Sequence, residues 1–294
     1  MKFLFEYALL RCCCGIVNLV PYPAAVWLAR LLATTACACG FQRRRTLGRI
    51  RSVFPGKTAA EARRIARESL ANVLVTAVEM IRAPRFDRRW MDRRVVNGAR
   101  YKELLQQLVD EGHGVVVMVP HCGNWYMAAW AMAKYGLPLF ALAARQRNPH
   151  LNAWMNRQYG DIEVLDRDRR ETLGAIRERL AAGRAFAILP DLRVRKRDTE
   201  VDFLGGTANV SRAGAAFAAH AGAPIVVAGM RRERGRHVME HLATLRPDPA
   251  ATDRRAEAER LTREAMRILD GFVQRYPEMW YWYNKRWILE PPER

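Results

Sequence analysis

The sequence predicts an α/β fold in which helices flank a largely parallel β-sheet. Short apolar runs alternate with longer segments of helical periodicity through most of the chain, and this alternation is typical of strand–helix–strand units. The chain has 294 residues, enough for one large α/β domain or two small ones. It shows no internal repeat and no Gly/Ser- or Pro-rich linker. One domain with a terminal appendage is the simplest organisation.

The appendage is predicted at the N-terminus, where residues 3–41 form the most apolar segment. Its only charged residues are Glu6, Arg11 and Arg30. Because Pro21 and Pro23 interrupt the run, two apolar helices that meet near residues 18–23 fit better than one straight span.

Membrane attachment is the predicted role of this segment, with residues 1–45 as a helical anchor and residues 46–294 as the main domain. An arginine cluster, residues 43–45, follows the apolar run directly. Such a flank marks the cytoplasmic side and attracts anionic headgroups. The segment is long enough for one tilted span or for a hairpin in the membrane interface. An ordinary buried helix pair is the alternative.

The remaining elements are predicted from capping signals, periodicity and glycine stops. Residues 58–61 form a Thr-x-x-Glu capping box at the start of one helix, and apolar residues at helical or strand spacing define the others. The predicted order is helix 58–81, helix 99–110, strand 115–119, helix 125–134, strand 139–142, helix 149–159, strand 162–165, helix 170–182, strand 185–189, helix 209–221, strand 225–228 and helix 252–275.

The net charge of +19, from 49 Lys and Arg against 30 Asp and Glu, predicts an anionic partner. No zinc-finger spacing or RNA-recognition signature accompanies it, so we expect lipid or an acidic protein and not nucleic acid. Five of the six cysteines lie in the first 40 residues, a distribution that suits reduced, packed thiols better than disulfides, palmitoylation or a metal site. No metal and no cofactor is expected.

Two polar residues follow predicted strands at equivalent places. His121 and Asp191 each lie one residue past a proline at a strand end, where α/β sheets bind ligands. A histidine there can take a proton from a hydroxyl near neutral pH. Gly123 permits a sharp turn, and Asn124 suits the N-cap of a helix whose amides would face an oxyanion. A structural histidine is the alternative, and Cys122 is a poorer nucleophile because neighbours on an extended chain point to opposite faces.

Four stretches in order along the chain resemble the lauroyl and myristoyl acyltransferases of lipid A biosynthesis and the related phosphatidylinositol mannoside acyltransferases. The first, HCGNWY at residues 121–126, is similar to the family's H-F-G-N-W-E. The others are a strand–Arg–helix–strand–Asp segment at 165–191, a Gly-containing segment at 201–227, and a Pro-Glu, aromatic and Lys-Arg ending at 276–287. With the N-terminal apolar segment, the resemblance covers nearly the whole chain.

This resemblance implies a glycerophosphate-acyltransferase-like α/β fold. It implies transfer of a long-chain acyl group from acyl carrier protein or coenzyme A to a hydroxyl of a lipid acceptor, at the cytoplasmic face of the bacterial inner membrane. A lipid- or acyl-carrier-binding protein without turnover is the alternative. His121 is the expected base. The residues expected around it are Asp191 in the site, Asn124, Arg167 and Arg193 in the substrate-binding region, and Gly205 and Gly206 where the backbone approaches a ligand.

Tyr126 departs from the family pattern, which has an acid at this position. A carboxylate there would orient the imidazole, whereas a tyrosine hydroxyl with a pKa near 10 stays neutral. Three interpretations remain. Asp191 supplies the carboxylate, the tyrosine orients His121 in a slower enzyme, or the fold has kept the lipid groove and lost the chemistry.

Two further clusters are open to more than one interpretation. Arg193 belongs to a basic loop, with Arg195, Lys196 and Arg197, that suits phosphate or headgroup contact. The arginines at 231, 232, 234 and 236 suit a solvated turn. The aromatic run at residues 280–287 fits an interfacial belt or a buried core equally well.

Overall fold

A computed structural model describes residues 1–41 and 43–291. Gln42 and residues 292–294, which the predicted domains include, lie outside the described residues. The helices are α1 Lys2–Leu19, α2 Tyr22–Ala38, α3 Arg43–Val53, α4 Ala59–Arg82, α5 Arg88–Arg94, α6 Gly98–Leu108, α7 Trp125–Lys134, α8 Pro149–Tyr159, α9 Thr172–Ala181, α10 Ala213–Ala221 and α11 Arg254–Arg275. The strands are β1 Val95–Val96, β2 Val115–Met118, β3 Leu139–Ala143, β4 Glu163–Asp166, β5 Ala185–Ile188, β6 Thr199–Phe203, β7 Gly206–Val210, β8 Ile225–Glu233 and β9 Arg236–Leu245.

Seven of these strands form one mixed sheet in the order β1-β9-β8-β2-β5-β3-β4. The strands from β8 to β4 run parallel to one another, and β9 lies antiparallel to β8. The predicted α/β class with a largely parallel sheet is confirmed. The central strand β2 is buried along its whole length, as expected for a strand covered by helices on both faces.

Alternate residues of β2 enter two different cores, because successive side chains point to opposite faces of a sheet. Val116 and Met118 pack in a cluster with residues of α10 and α11, such as Phe217 and Phe272. Val115 and Val117 pack in a second cluster with residues of α6 and α7. Helices therefore cover both faces and leave the carboxyl ends of the strands as the edge where a ligand can enter.

The N-terminal segment forms the predicted helix pair, α1 and α2, which meet at residues 20–21. Ala25, Ala29 and Ala33 recur every four residues on α2 and are buried. The first two pack in a cluster with Val75 and Val78 of α4. Within residues 1–41 and 43–291, no helix combines the length and apolarity that crossing a membrane requires. Attachment of this segment to a membrane stays a prediction.

A β-hairpin replaces the start of the helix predicted at residue 209. β6 and β7 pair antiparallel, and α10 begins only at Ala213. Asn209 holds this segment extended, because its Nδ2 donates to the carbonyls of Val194 and Lys196 and its Oδ1 accepts from the amide of Asp198. Such local side-chain bonds compete with helix formation.

The arginine-rich segment at residues 231–236 is the turn of the hairpin formed by β8 and β9. The prediction of a solvated turn fits Arg234 and Arg236, which are exposed, and is wrong for Arg231 and Arg232, which lie in β8. Only Arg234 and Gly235 turn the chain, with φ of 47° and 75°. Arg231 pairs across the hairpin with Glu240, and the side chain of Arg232, which is 9% exposed, pairs with Glu79. Glu79, the partner of Arg232, lies 153 residues away along the chain, and periodicity does not reveal such a partner.

Candidate active site

The register of two central strands brings His121 and Asp191 together. β2 pairs in parallel with β5 so that Met118 lies opposite Ile188. His121 is three residues after Met118, and Asp191 is three residues after Ile188. Both side chains therefore lie at the same edge of the sheet. Carboxyl ends of parallel strands are where α/β proteins bind ligands.

The carboxylate of Asp191 accepts three hydrogen bonds, two of them from His121. The imidazole Nδ1 lies 2.7 Å from Oδ1, the His121 amide donates to Oδ2 over 2.7 Å, and the Trp280 indole donates to Oδ2 over 2.8 Å. Burial alone would raise the pKa of Asp191, but His121 and the indole lower it below its ordinary value. Because an ionised carboxylate only accepts, we assign the imidazole proton to Nδ1, which leaves the lone pair of Nε2 for a substrate.

The turn after His121 is held by the C-terminal segment of the chain. The amide of Tyr281 donates to the His121 carbonyl over 3.0 Å, and the amide of Gly123 donates to the Met279 carbonyl over 2.9 Å. Gly123 has φ of 56°, and an added Cβ would lie 2.6 Å from the Met230 carbonyl oxygen. The sequence therefore needs glycine here for both conformation and space.

The aromatic C-terminal run is part of the protein core. Trp280, Trp282 and Tyr283 are buried, which decides between the two interpretations left open by the sequence. Trp280 also contributes directly to the site through its bond to Asp191. No local pattern in the sequence identifies this role, because 89 residues separate the two partners.

Tyr126 lies in an aromatic wall beside His121. Its ring stacks on Trp130 with centroids 5.7 Å apart and lies 6.2 Å from the ring of Tyr159. Burial raises the pKa of its hydroxyl, which keeps the side chain neutral. Since Nδ1 of His121 is already engaged by Asp191, the geometry fits the first of the three interpretations, in which Asp191 supplies the carboxylate.

Asn124 and Cys122 are buried on either side of Gly123. Asn124 is the N-cap of α7, as predicted, because its Oδ1 accepts a hydrogen bond from the Met127 amide over 3.0 Å. Its Nδ2 donates to Glu79 over 2.7 Å, so the structure places this side chain behind the turn and not in the substrate-binding region. Burial raises the pKa of the Cys122 thiol well above its usual range, which is the opposite of what a thiolate nucleophile needs.

A cavity of about 1200 Å³ opens beside His121 and continues on both faces of the sheet edge. Val117, Met132 and Leu139 line the part next to α7, and Ile176, Ile188 and Phe217 line the part next to α10. These walls are apolar, and Tyr126 is one of them. An apolar space of this size suits hydrocarbon chains.

Basic side chains surround the mouth of the cavity. They are Arg167, Arg169, Arg170, Arg193, Arg195, Lys285 and Arg286. Arg167 is 60% exposed and lies 3.6 Å from Asp168, and Arg193 donates to the carbonyls of Glu290 and Pro291. Arg167 and Arg193, the two arginines predicted in the substrate-binding region, therefore both lie at the cavity, where positive charge favours an anionic group.

Gly205 and Gly206 lie away from the cavity, Gly205 in the turn between β6 and β7 and Gly206 as the first residue of β7. Gly205 has φ of 73°, and a Cβ on Gly206 would lie 3.0 Å from the Leu289 side chain. Neither glycine is among the residues that line the cavity. The close approach expected at these positions is found only at Gly206, toward the Leu289 side chain, because a Cβ on Gly205 would meet nothing within 4 Å.

Glu79 is a further charged residue of the site region and is not among the site residues predicted from the sequence. It is fully buried, and Arg232 and Asn124 bond to it. A signal for it exists in the sequence, because Glu79 continues the apolar stripe of α4 four residues after Val75. A carboxylate on a buried face is rare unless it is paired.

Comparison with known proteins assigns the chain to a family. A phosphatidylinositol mannoside acyltransferase of Mycolicibacterium smegmatis is 26% identical over 194 residues, which are 63% of this chain and 60% of the relative. The alignment therefore spans less than two thirds of the relative's length. Residues 5–288 match the family model described as bacterial lipid A biosynthesis acyltransferase. Since that match covers nearly the whole chain, the protein belongs to the bacterial lipid A biosynthesis acyltransferase family.

Proposed function

We propose that the protein transfers a long-chain fatty acyl group from a thioester to a hydroxyl of a lipid acceptor. The observation that carries this proposal is the hydrogen-bonded pair of His121 and Asp191 at the edge of an apolar cavity of about 1200 Å³. The pair suits proton transfer, and the cavity suits hydrocarbon chains. Family membership supports the same reaction class.

His121 is the general base in this proposal. Its Nε2 takes the proton of the acceptor hydroxyl while the hydroxyl oxygen forms a bond to the thioester carbonyl carbon and the carbonyl π electrons move to oxygen. Asp191 holds the imidazole through Nδ1 and stabilises the imidazolium that forms. The helix α7 starts at Trp125, directly after this turn, and its first amides carry partial positive charge for the oxyanion.

Collapse of the tetrahedral intermediate completes the transfer. The carbonyl re-forms, the C–S bond breaks, and the imidazolium returns its proton to the leaving thiolate. The products are the acylated lipid and the free thiol of the carrier, and His121 is neutral again. The packing of the Trp125 ring on His121, with centroids 4.9 Å apart, limits rotation of the imidazole between the two proton transfers.

The donor in this proposal is acyl carrier protein or coenzyme A. Both carry phosphate, and acyl carrier protein is acidic as a whole. The arginines at the cavity mouth, among them Arg167 and Arg193, suit such groups, as they suit the phosphate of a lipid acceptor. The net charge of +19 favours encounter with either anionic partner.

The proposed location is the cytoplasmic face of the bacterial inner membrane. Among the large apolar side chains that the described part of the chain exposes, all except Leu173 lie within residues 1–41. Trp27, Leu31 and Phe41 are examples. An exposed apolar helix pair followed by basic residues suits a segment that lies in the membrane interface.

Acyl transfer by the purified protein tests the proposal. Labelled long-chain acyl carrier protein and acyl-coenzyme A are offered with a panel of lipid A precursors, phosphatidylinositol mannosides and phospholipids. We expect wild type to acylate one acceptor class and His121→Ala to lose that activity. His220→Ala is the matched control, because His220 is exposed at the end of α10, and it is expected to keep the wild-type rate.

Two results would contradict the proposal in different ways. Full activity of His121→Ala would exclude His121 as the base. Binding of lipid or acyl carrier protein without turnover, equal in wild type and His121→Ala, would instead identify a binding protein that shares the family's fold.

A further inference from the structure

A buried carboxylate lies directly behind the His121 turn. Glu79 of α4 has no exposed surface, and neutral donors contact both of its oxygens. Oε1 accepts from the Tyr22 hydroxyl over 2.8 Å, and Oε2 accepts from Nδ2 of Asn124 over 2.7 Å. A fully buried carboxylate is tolerated only when hydrogen-bond and charge partners replace the water that it loses.

Arg232 neutralises this carboxylate. Its guanidinium contacts both oxygens, at 2.7 and 2.6 Å, and its side chain is 9% exposed. Burial opposes ionisation, but Arg232 holds the pKa of Glu79 well below its usual range. Burial also lowers the pKa of the neighbouring His237, so we assign a neutral imidazole whose Nε2, 3.1 Å from Oε1, donates to Glu79. The cluster is therefore a single ion pair with hydrogen bonds around it.

Two paths of hydrogen bonds lead from this ion pair to the turn that carries His121. One runs through Asn124, whose side chain joins Glu79 to the first turn of α7. The other runs through Thr76, whose hydroxyl accepts from Arg232 over 3.0 Å and donates to the Gly123 carbonyl over 3.2 Å. The two paths thus hold the Gly123 carbonyl in the turn and the Met127 amide in the first turn of α7.

The N-terminal helix pair joins the same cluster. Tyr22, at the start of α2, supplies one of the hydrogen bonds to Glu79. Three residues further along α4, Arg82 donates to the carbonyls of Val17 and Val20, which lie at the junction of α1 and α2. The end of α4 therefore fixes the helix pair and the His121 turn at once.

We propose that Glu79 is a positioning residue for His121, acting through Asn124 and through Arg232 and Thr76, and that Tyr22 makes the N-terminal helix pair part of this support. The inference rests on the proposed role of His121 as base. A base must lie within hydrogen-bond reach of its proton, and a displacement of about 1 Å can cost on the order of 100-fold in rate. No residue of this cluster lines the cavity, so we expect a defect in it to change kcat and to leave KM unchanged.

Substitution of Thr76 tests the second path with a mild change. Thr76→Val keeps the shape of the side chain and removes its hydroxyl, and we expect kcat to fall about tenfold with an unchanged KM for the acyl donor. Thr76→Ser restores the hydroxyl and is expected to recover most of the rate. The matched control is Thr262→Val, because Thr262 is also buried but bonds only within α11.

The outcomes separate positioning from general stability. Wild-type kcat in a folded Thr76→Val protein overturns the proposal, and so does an equal loss of kcat in Thr262→Val. If His121→Ala keeps full activity, the base assignment fails whatever the threonine variants do. If His121 is essential and Thr76→Val is unimpaired, only the positioning role fails.

Tyr22 tests the contribution of the N-terminal helix pair. Tyr22→Phe removes one donor to Glu79, and we expect kcat to fall about fivefold, the equivalent of one hydrogen bond. Tyr7→Phe is the matched control, because Tyr7 lies on the same helix pair and packs its ring on His150. Both are assayed with a detergent-solubilised acceptor, so that membrane binding does not limit the rate. Equal kcat in the two variants would overturn the link between the helix pair and the site.

Discussion

The imidazole Nδ1 of His121 lies 2.7 Å from Oδ1 of Asp191, although 70 residues separate the two along the chain. The carboxylate that orients the histidine thus comes from the neighbouring strand end and not from the helix that follows the turn. Tyr126, at the position where the family pattern has an acid, lines the cavity instead. The exchange of an acid for a tyrosine does not leave the histidine without a carboxylate.

Replacing Asp191 by asparagine is expected to lower kcat strongly. Asparagine can present its amide N–H₂ to Nδ1, which favours the tautomer with the proton on Nε2, and it cannot stabilise an imidazolium. The equivalent change in a serine protease costs about 10⁴ in turnover. We expect kcat to fall by about 10²- to 10⁴-fold in Asp191→Asn. The acyl-transfer assay at saturating donor measures kcat, and circular dichroism checks that the variant is folded. Asp161→Asn, at an exposed ion pair, is the control and should not change kcat.

Tyr126 is expected to tolerate loss of its hydroxyl but not a negative charge. Tyr126→Phe keeps the aromatic wall with Trp130 and Tyr159, and we expect kcat within about threefold of wild type, since no hydroxyl role in proton transfer is lost. Tyr126→Glu buries a carboxyl among aromatic rings, which raises its pKa and costs about 1 to 3 kcal/mol of stability. Parallel kcat and melting measurements check both expectations. A gain of turnover in Tyr126→Glu would show that Asp191 does not replace the missing acid.

The alternation of strands and helices was enough to predict the layers of the fold and the edge of the sheet that carries the site. His121 and Asp191 were predictable as strand-end residues, because each follows a short apolar run and a proline. Their contact was not predictable, since it depends on the order of β2 and β5 in the sheet. Periodicity reports which face of an element is buried and carries no information on which strands are neighbours.

The contributions of Trp280 and Glu79 to the site could not be predicted for a related reason, although the apolar stripe of α4 already places Glu79 on a buried face. Each acts through a partner distant along the chain, Asp191 for the indole and Arg232 for the carboxylate. The arginine at position 232 suggested a solvated turn, since charged side chains are usually exposed. Its burial becomes understandable only when Glu79 is known to lie opposite.

Acid is expected to destabilise the protein partly through Asp191. The folded-state pKa of this carboxyl is lowered, so the unfolded chain, with an aspartate pKa of about 3.9, takes up the proton first as pH falls. The stabilising contribution is complete above about pH 5 and is lost as pH falls through the folded pKa. Urea unfolding between pH 3 and 7 should show a smaller pH dependence in Asp191→Asn than in wild type. Asp161→Asn should match wild type, and equal slopes for all three proteins would refute the assignment.

Tyr101→Phe is expected to stabilise the protein, which is unusual for a buried substitution. Tyr101 of α6 lines the cavity and is 4% exposed. Within the described part of the chain, its hydroxyl has no hydrogen-bond partner. A buried hydroxyl without a partner costs about 1 to 3 kcal/mol, so removing it should raise the free energy of unfolding by about 1 kcal/mol. Tyr283→Phe is the matched comparison, because that hydroxyl donates to the Ala66 carbonyl over 2.9 Å and its loss should lower stability by about 1 kcal/mol. Urea midpoints at equal m-values measure both changes. The changes in the free energy of unfolding have opposite signs for the two tyrosines because only one of the two hydroxyls has a hydrogen-bond partner among the described residues. A loss of stability in Tyr101→Phe would mean that a group or water held in the cavity bonds to its hydroxyl.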